Sequence, residues 1–405
     1  MDRRTVRAAF FCTVVVASLP FVWSLAIPAE GSRSVSQEWD ADDRERLERV
    51  TFVSEQGRVT RVDPHAGRLI AVHTPTGDVV WEHEEYRRYM DVDVLDRDTV
   101  LVVAGDVGSD GVVRRAVVLD WREGTELTSF VVPPDTHDVD HLGDGRYAVA
   151  DKKYHRAYVY DASNDSVVWE YEFSAHYEPP ENATEKDWTH LNDIDPVLNG
   201  SAFLLSPRNF DTVVVVNRTT KEYDYRLGER GDRGTVYEQH NPDLIGTEPP
   251  TLLVADSENN RVVEYQLDGT EWTPIWGMEA GLDWPRDADR LENGNTLITD
   301  SRGDRVVEVT PNGTVVWEFE TDRRPYDAER LGTAGGEPTA ERFRMESVPR
   351  DPSPIDPKHA YNLAGWFLPI SVSYVDFVAA GVAGIVAVIW GLVEVGWAVK
   401  ARDRR

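Results

Sequence analysis

The chain has 405 residues, 41% of them hydrophobic, and a net charge of −29 from 72 acidic and 43 basic residues. The acidic excess runs through every segment and no basic patch interrupts it, which argues against a nucleic-acid partner and suits molar salt, where the Debye length falls to roughly 3 Å. A single cysteine, Cys12, excludes intrachain disulfides, so core packing and sheet hydrogen bonds must hold the fold.

In chain order, residues 1–7 form a basic end carrying Arg3, Arg4 and Arg7. Residues 8–28, AAFFCTVVVASLPFVWSLAIP, carry no charge and are long enough for a transmembrane helix or signal anchor. The other reading, a cleaved signal peptide, meets a poor cleavage site at Ala26-Ile27-Pro28-Ala29.

From residue 51 the sequence repeats. GRYAVADKKYHRAYVYDASNDSVVWEYEF, TLLVADSENNRVVEYQLDGTEWTPIWG and NTLITDSRGDRVVEVTPNGTVVWEF can be laid over one another, and an earlier copy ends TPTGDVVWEHEEY. Each pairs apolar and alternating strands with Gly, Asn and Asp turns. Ahead of each stands a shorter element: HDVDHLGDG from His137, HLNDIDPVLNG from His190, HNPDLIG from His240 and RDADRLENG from Arg286. Four short strands in each period of about fifty residues is the pattern of a propeller blade. Residues 51–86, 88–133, 137–175, 190–227, 240–278 and 286–320 make six blades, so 51–345 is expected to be an all-β, six-bladed β-propeller. The first blade is the least clear, and the ring can close with a strand borrowed from near either end.

Residues 346–376 read as a linker or interfacial segment, 377–399 as a second transmembrane helix, and 400–405 as a basic tail. Basic residues flank both apolar runs on their outer ends, so the positive-inside rule places both termini in the cytoplasm and the propeller outside the cell membrane. Five N-x-[ST] sequons, at Asn164, Asn182, Asn199, Asn217 and Asn312, agree with an outward face. Oligomeric state is not legible.

One hairpin does not read like its surroundings: DWTHLNDIDPVLNGSAFLLSPRNF, residues 187–210. In a blade, the entry to the innermost strand and the exit from the second share a face of the disc. His190 and Asn192 at the entry should therefore meet Arg208 at the exit, and His137 and His240 should enter neighbouring blades at the same register. Three imidazoles and a guanidinium at one mouth of an acidic protein suit an anionic ligand, because the guanidinium fork matches sulfate, phosphate or carboxylate oxygens. A neutral imidazole can attack an electrophile while a second serves as acid or base.

The combination DWTHLN, SPR with its Arg eighteen residues after the histidine, and QHN at Gln239–Asn241 resembles the arylsulfate sulfotransferases. Those six-bladed propellers pass a sulfuryl group from an aryl sulfate donor to a phenolic acceptor without a nucleotide donor or other cofactor. The resemblance covers residues 51–345 and implies His240 as nucleophile, His190 and Asn192 as ligands of the sulfuryl oxygens, and Arg208 as their counter-charge. His137 would protonate the leaving phenolate. Trp188, Tyr154 and Trp284 are candidate walls for an aryl ring, and Arg286, in the histidine position of the last blade, is a candidate substrate contact. Asp193 and Pro207 stand where the family usually has serine.

Two other classes remain open on the residues alone. Three channel histidines could hold zinc for a lyase or hydrolase, or the propeller could bind anionic or sulfated glycans without turnover. The recurring Asp138, Asp140, Asp193, Asp195, Asp287 and Asp289 read as hydrogen bonders between blades. Trp81, Trp169 and Trp317 read as packing, and His141, His155 and His176 as ordinary loop or strand residues.

Overall fold

Alternating Val, Tyr and Thr runs fold into strands that pair locally, each with the next, until four are joined. A computed structural model describes residues 47–57, 67–108, 111–179, 181, 187–279, 281–321, 323–332 and 374–402, together with Val14. Among these residues the strands form six four-stranded antiparallel sheets arranged as the blades of a β-propeller. The first blade consists of Pro325–Arg330, Val50–Glu55, Arg68–His73 and Asp78–His83, from the channel outwards. The ring is thus closed by a strand from near the C-terminal end, with Phe52 opposite Glu329 and Val53 opposite Ala328.

The second blade runs Arg88–Val94, Thr99–Gly108, Gly111–Asp120 and Thr125–Val132; the third Val139–Gly143, Arg146–Asp151, Arg156–Asp161 and Ser166–Glu172. The fourth is Leu191–Val197, Ala202–Pro207, Val213–Asn217 and Tyr223–Leu227. The fifth is His240–Thr247, Pro250–Asp256, Arg261–Asp268 and Glu271–Met278, and the sixth Pro285–Arg290, Thr296–Asp300, Arg305–Val309 and Val315–Glu320.

Second strands such as Val50–Glu55 and Ala202–Pro207 are buried at every position because neighbouring blades cover both faces. Outer strands keep an exposed face: Val167, Val168, Val315 and Val316 all stand in solvent. The core lies between blades. Tyr171, Phe173, Trp188, Leu191, Phe203 and Phe210 join the third blade to the fourth, and Trp169 lies 4.9 Å from Phe203 with its indole N–H on the Arg218 carbonyl.

A recurrent ion pair ties the second, third and outer strands of a blade. Arg156 bonds Asp151 and Glu170, Arg305 bonds Asp300 and Glu318, and Arg68 bonds Glu55 and Glu82. Arg261 bonds Asp256 at 2.6 Å, with Glu279 at 3.8 Å. Each acid partner on the second strand is essentially inaccessible. Between the fifth and sixth blades, Arg290 and Glu264 form a buried pair at 2.9 Å.

The innermost strands carry the most unusual composition. Each presents a D-x-[DE] triplet to the channel: Asp91/Asp93, Asp138/Asp140, Asp193/Asp195, Asp287/Asp289 and Asp327/Glu329, with Asn241/Asp243 in the fifth blade. Three of the carboxylates reach the next blade as hydrogen bonders: Asp327 accepts from Val92 N at 2.8 Å, Glu329 from Val94 N, and Asp138 from Ile194 N. Burial, and then the charge of Asp327, pushes the Asp93 carboxyl up to about 8. Burial alone lifts Asp243, to about 6, against the pull of Arg290.

Separately, residues Tyr374–Arg402 form one helix whose Phe377–Val399 segment is long and apolar enough to cross a membrane. The expected 377–399 span sits inside it. The apolar run 8–28, apart from Val14, and the segments 333–373 and 403–405 lie outside the described residues.

Phe52 is fully buried in the blade that closes the ring, with its ring 5.1 Å from Trp121. Phe52→Ala is expected to destabilise the propeller by about 3–5 kcal/mol, whereas Leu127→Ala, at a position 56% exposed, should stay within about 0.5 kcal/mol. Denaturant titration checks both, and equal losses would contradict the placement of the core.

Candidate functional site

Aligning the six innermost strands on their D-x-[DE] triplets, as the strand pairing requires, puts one residue of each immediately above the acids: Met90, His137, Asn192, His240, Arg286 and Tyr326. Two residues earlier, five of the six strands begin with a residue in the left-handed backbone region: Asp135, His190, Glu238, Trp284 and Arg324. His190 therefore does not share the register of His137 and His240. Asn192 does, and His190 occupies the entry position two residues outward. The acid triplet starts three residues after His190 but directly after His137, so His190 takes the left-handed entry position (φ 48°) that Asp135 and Glu238 take in the neighbouring blades. The left-handed entry turns the imidazole back towards the mouth, where its ring lies 5.5 Å from that of His137.

Both nitrogens of His190 are engaged. Nδ1 lies 2.5 Å from Asp187 Oδ2, and Nε2 lies 3.0 Å from Arg208 Nη1. Because a guanidinium only donates, Nε2 is the acceptor and Nδ1 carries the proton. The imidazole is neutral in this arrangement. Burial pulls its pKa down to about 4, and Arg208 and Lys152 act in the same direction against Asp187. Arg208 also bonds Glu238, while its Nε is buried with no partner. Lys152 lies 3.4 Å from Asp187.

His240 is 1% exposed at the head of the fifth blade. Its Nδ1 lies 2.8 Å from Ser257 Oγ, and Ser257 Oγ lies 2.7 Å from the carbonyl of Pro285. A carbonyl cannot donate, so the one hydroxyl proton of Ser257 goes to Pro285 O and the hydroxyl accepts from Nδ1–H. That fixes the tautomer and leaves the lone pair on Nε2. Burial, followed by the charges of Arg286 and Arg208, holds the imidazole well below its usual range. His137 is likewise kept neutral by burial, with Lys152, His190 and Arg286 adding to the effect, and its Nδ1 has no hydrogen-bond partner.

Arg286 lies between two rings, 4.5 Å from both Trp284 and Tyr326, and donates to Gln56 Oε1 at 2.9 Å. Burial lowers it to about 9, so it remains a cation at neutral pH, and its Nε has no partner. Trp284 stands edge-on to His240 at 5.1 Å, donates to Glu258, and carries Arg302 4.2 Å from its ring.

Among the sequence-predicted residues, His137, His190, His240, Arg208, Arg286 and Trp284 come together. Asn192 is at the mouth but inaccessible: its amide donates to the Gln239 carbonyl at 3.0 Å, so it holds the neighbouring strand entry and leaves only Oδ1 unpartnered. Trp188 does not form a wall. It is packed between His155 and Phe210 in the core of the third and fourth blades. Tyr154 is 63% exposed and lies beside Arg156. His155, read as an ordinary loop residue, packs on Trp188 and lies 3.1 Å from Thr189 Oγ1.

The three imidazoles do not share a point; among the described residues no group of three or more His, Cys, Asp or Glu is placed to hold a metal. The geometry therefore gives the zinc reading no ligand set.

Sequence reasoning missed Ser257, Lys152, Asp187, Glu238 and Tyr326. A signal was present. The ion-pair motif D-x-x-x-x-R at residues 151–156, 256–261 and 300–305 becomes P-R-N-F-D-T at 207–212. Arg208 thus takes the place of Lys152, Ser257 and Ser301, the first residue after the acid, and all four lie at blade turns beside the strand entries.

No known family model matches the chain, and no curated protein does. Solved structures share the fold. One, a protein of unknown function from Bacteroides caccae, is 16% identical with a TM-score of 0.51 over 70% of this chain and 99% of that one. The periplasmic gluconolactonase of Pseudomonas aeruginosa is 14% identical with a TM-score of 0.47, over 71% of this chain and 86% of its own. At these identities the likeness is one of propeller architecture.

Proposed function

We propose that the mouth of the propeller is a sulfotransferase site that moves a sulfuryl group from an aryl sulfate to a phenol through His240. The observation that carries this reading is the Pro285–Ser257–His240 chain of hydrogen bonds, which leaves a neutral Nε2 lone pair beside two guanidinium groups. A buried cationic pocket with a fixed neutral nucleophile suits an anionic electrophile, because the charge stabilisation is preorganised. A purely binding propeller would have use for Arg208 and Arg286 but none for a tautomer-locked imidazole.

In the first half-reaction, Nε2 attacks sulfur, the N–S bond forms, and the S–O bond to the aryl group breaks with its electron pair leaving on the phenolate. Arg208 and Arg286 neutralise the sulfuryl oxygens, and Trp284, packed against Arg286, Arg302 and His240, holds the guanidinium of Arg286 in place beside the nucleophile. In the second half-reaction, the acceptor phenol gives its proton to the unpartnered Nδ1 of His137, its oxygen attacks sulfur, and the N–S pair returns to Nε2. A histidine held neutral by burial suits this base role better than protonation of the leaving phenolate. The proton on His137 then passes to solvent or to the departed phenolate. His190 positions Arg208 through Nε2 and stays neutral throughout.

The flanking Lys and Arg residues support an extracellular side for this chemistry, at a membrane that the Phe377–Val399 helix, and an N-terminal one, would anchor. The dispersed acidic charge supports a halophilic setting.

Phenol-dependent release from a chromogenic aryl sulfate in molar salt is expected for the wild type and should vanish in His240→Ala. Release that persists in the variant, or a folded wild type with no release, would overturn the reading. Ser257→Ala should lower kcat by about 10- to 100-fold while the fold is retained, as loss of a group that orients a base does; an unchanged kcat would show that the tautomer lock is irrelevant. The pH profile of kcat/KM should stay flat through the ordinary histidine range near pH 6.5 and fall only as pH approaches about 4, where His190 gains a proton and loses its bond to Arg208. An acid limb near pH 6.5 would contradict a neutral His190.

A further inference from the structure

Below the mouth, the residues lining the channel change from basic to acidic. The two residues of each inner-strand triplet form two stacked rings around the axis. The upper comprises Asp91, Asp138, Asp193, Asn241, Asp287 and Asp327, and the lower Asp93, Asp140, Asp195, Asp243, Asp289 and Glu329. Together they line a cavity of about 210 Å³ with eleven carboxyl groups and one amide. Two like charges about 5 Å apart repel by roughly 3 kcal/mol at an effective dielectric near 20. The cavity has one basic lining residue, Arg290, and that guanidinium pairs with Glu264 at 2.9 Å. Burial and mutual repulsion lift these carboxyls above their usual range, Asp93 to about 8, so protons keep part of the rings neutral and a cation entering the channel would take the protons' place.

A second observation is independent of the acids. Asn241, the one neutral member of the rings, is 9% exposed, holds a left-handed backbone (φ 29°), and its Oδ1 has no hydrogen-bond partner. Asp193, 4% exposed, likewise has an unpartnered Oδ2. A buried amide oxygen left without a donor costs about 1–3 kcal/mol, and a carbonyl-type oxygen among carboxylates is the donor set of a hard cation. Among the described residues no three carboxylates converge on one point closely enough to ligate an ion directly, so an ion on the axis would keep water between itself and the rings. Magnesium is the biological cation that gives up its water shell least readily.

We propose that the central channel binds a hydrated divalent cation of the magnesium type, held by the two acidic rings and by Asn241 Oδ1. The site is separate from the imidazoles of the mouth and does not depend on the sulfuryl-transfer reading. By placing positive charge on the axis, it offsets a repulsion that otherwise works against closing the ring of blades.

The test uses the full chain in detergent micelles, stripped with EDTA, at an ionic strength held by tetramethylammonium chloride, whose cation is singly charged and has no N–H or O–H donor to offer the rings. Calorimetric titration with MgCl₂ is expected to show saturable binding, and the unfolding midpoint should rise with Mg²⁺ as mass action requires. Hexaamminecobalt(III), which keeps its ammonia shell, should displace the Mg²⁺. The Asp195→Asn/Asp243→Asn double variant should bind Mg²⁺ about tenfold more weakly or worse, and Asn241→Asp, which completes the upper ring, about tenfold more tightly. The second variant decides the matter if the first fails to fold. Absence of saturable binding, affinities that do not respond to either change, or failure of hexaamminecobalt to compete would overturn the proposal.

Discussion

Closure of the ring by the Pro325–Arg330 strand is the constraint on which the rest of the molecule depends. With no disulfide, only the pairing of that strand with Val50–Glu55 and the packing between successive blades hold the two ends of the propeller together. Closure also creates the site, because it brings six inner strands around one axis. His137, at the head of the third blade, and Tyr326, on the last strand of the propeller, come to lie 5.7 Å apart only when that strand completes the first blade.

The same geometry separates charge along the axis. The residues above the acidic rings are two imidazoles, an amide, a guanidinium, a phenol and a methionine, and the entry positions and blade turns add His190, Lys152, Arg208, Arg302 and Arg324. Just below lie eleven carboxyl groups. In a chain with 72 acidic and 43 basic residues, cations gathered at one mouth stand out against the whole surface and would focus an anionic ligand there. The acids beneath have a different consequence. Their mutual repulsion is a cost of closing the ring, offset locally where Asp138, Asp327 and Glu329 take backbone N–H groups of the next blade.

The fourth blade shows how a repeat is adapted to a site. Four blades keep a buried acid on the second strand and an arginine at the start of the third, a pair that joins three strands. In the fourth blade the acid becomes Pro207 and the arginine becomes Thr212, and the turn between them holds Arg208 against His190 and Glu238. The blade gives up a structural ion pair and keeps its place through apolar packing, with Phe210, Phe203 and Trp188 all inaccessible or nearly so. In the fifth blade the same turn position supplies Ser257, whose hydroxyl is small enough to sit between His240 and the Pro285 carbonyl. One position of the repeat thus carries a cation in two blades and a tautomer-fixing hydroxyl in another.

The blade count, the fifty-residue period and the gathering of His137, His240 and Arg208 at one mouth were legible in the sequence, because strand alternation and turn residues are local properties that repeat with the chain. The C-terminal apolar helix was legible for the same reason. What the tertiary structure decided was which strand closes the first blade, the two-residue offset of His190, and the difference between a site wall and a core residue. Trp188 and Trp284 look alike in sequence, each just ahead of an inner strand. Trp188 precedes its strand's left-handed residue and turns into the core; Trp284 is itself the left-handed residue (φ 59°) and turns towards His240. Side-chain direction at such an entry depends on a backbone angle and on what the neighbouring blade leaves open, and neither is encoded within the blade itself. The sequence by itself determined a repeating β fold with its unusual residues near one end of each inner strand; only the closed ring decided which of them touch.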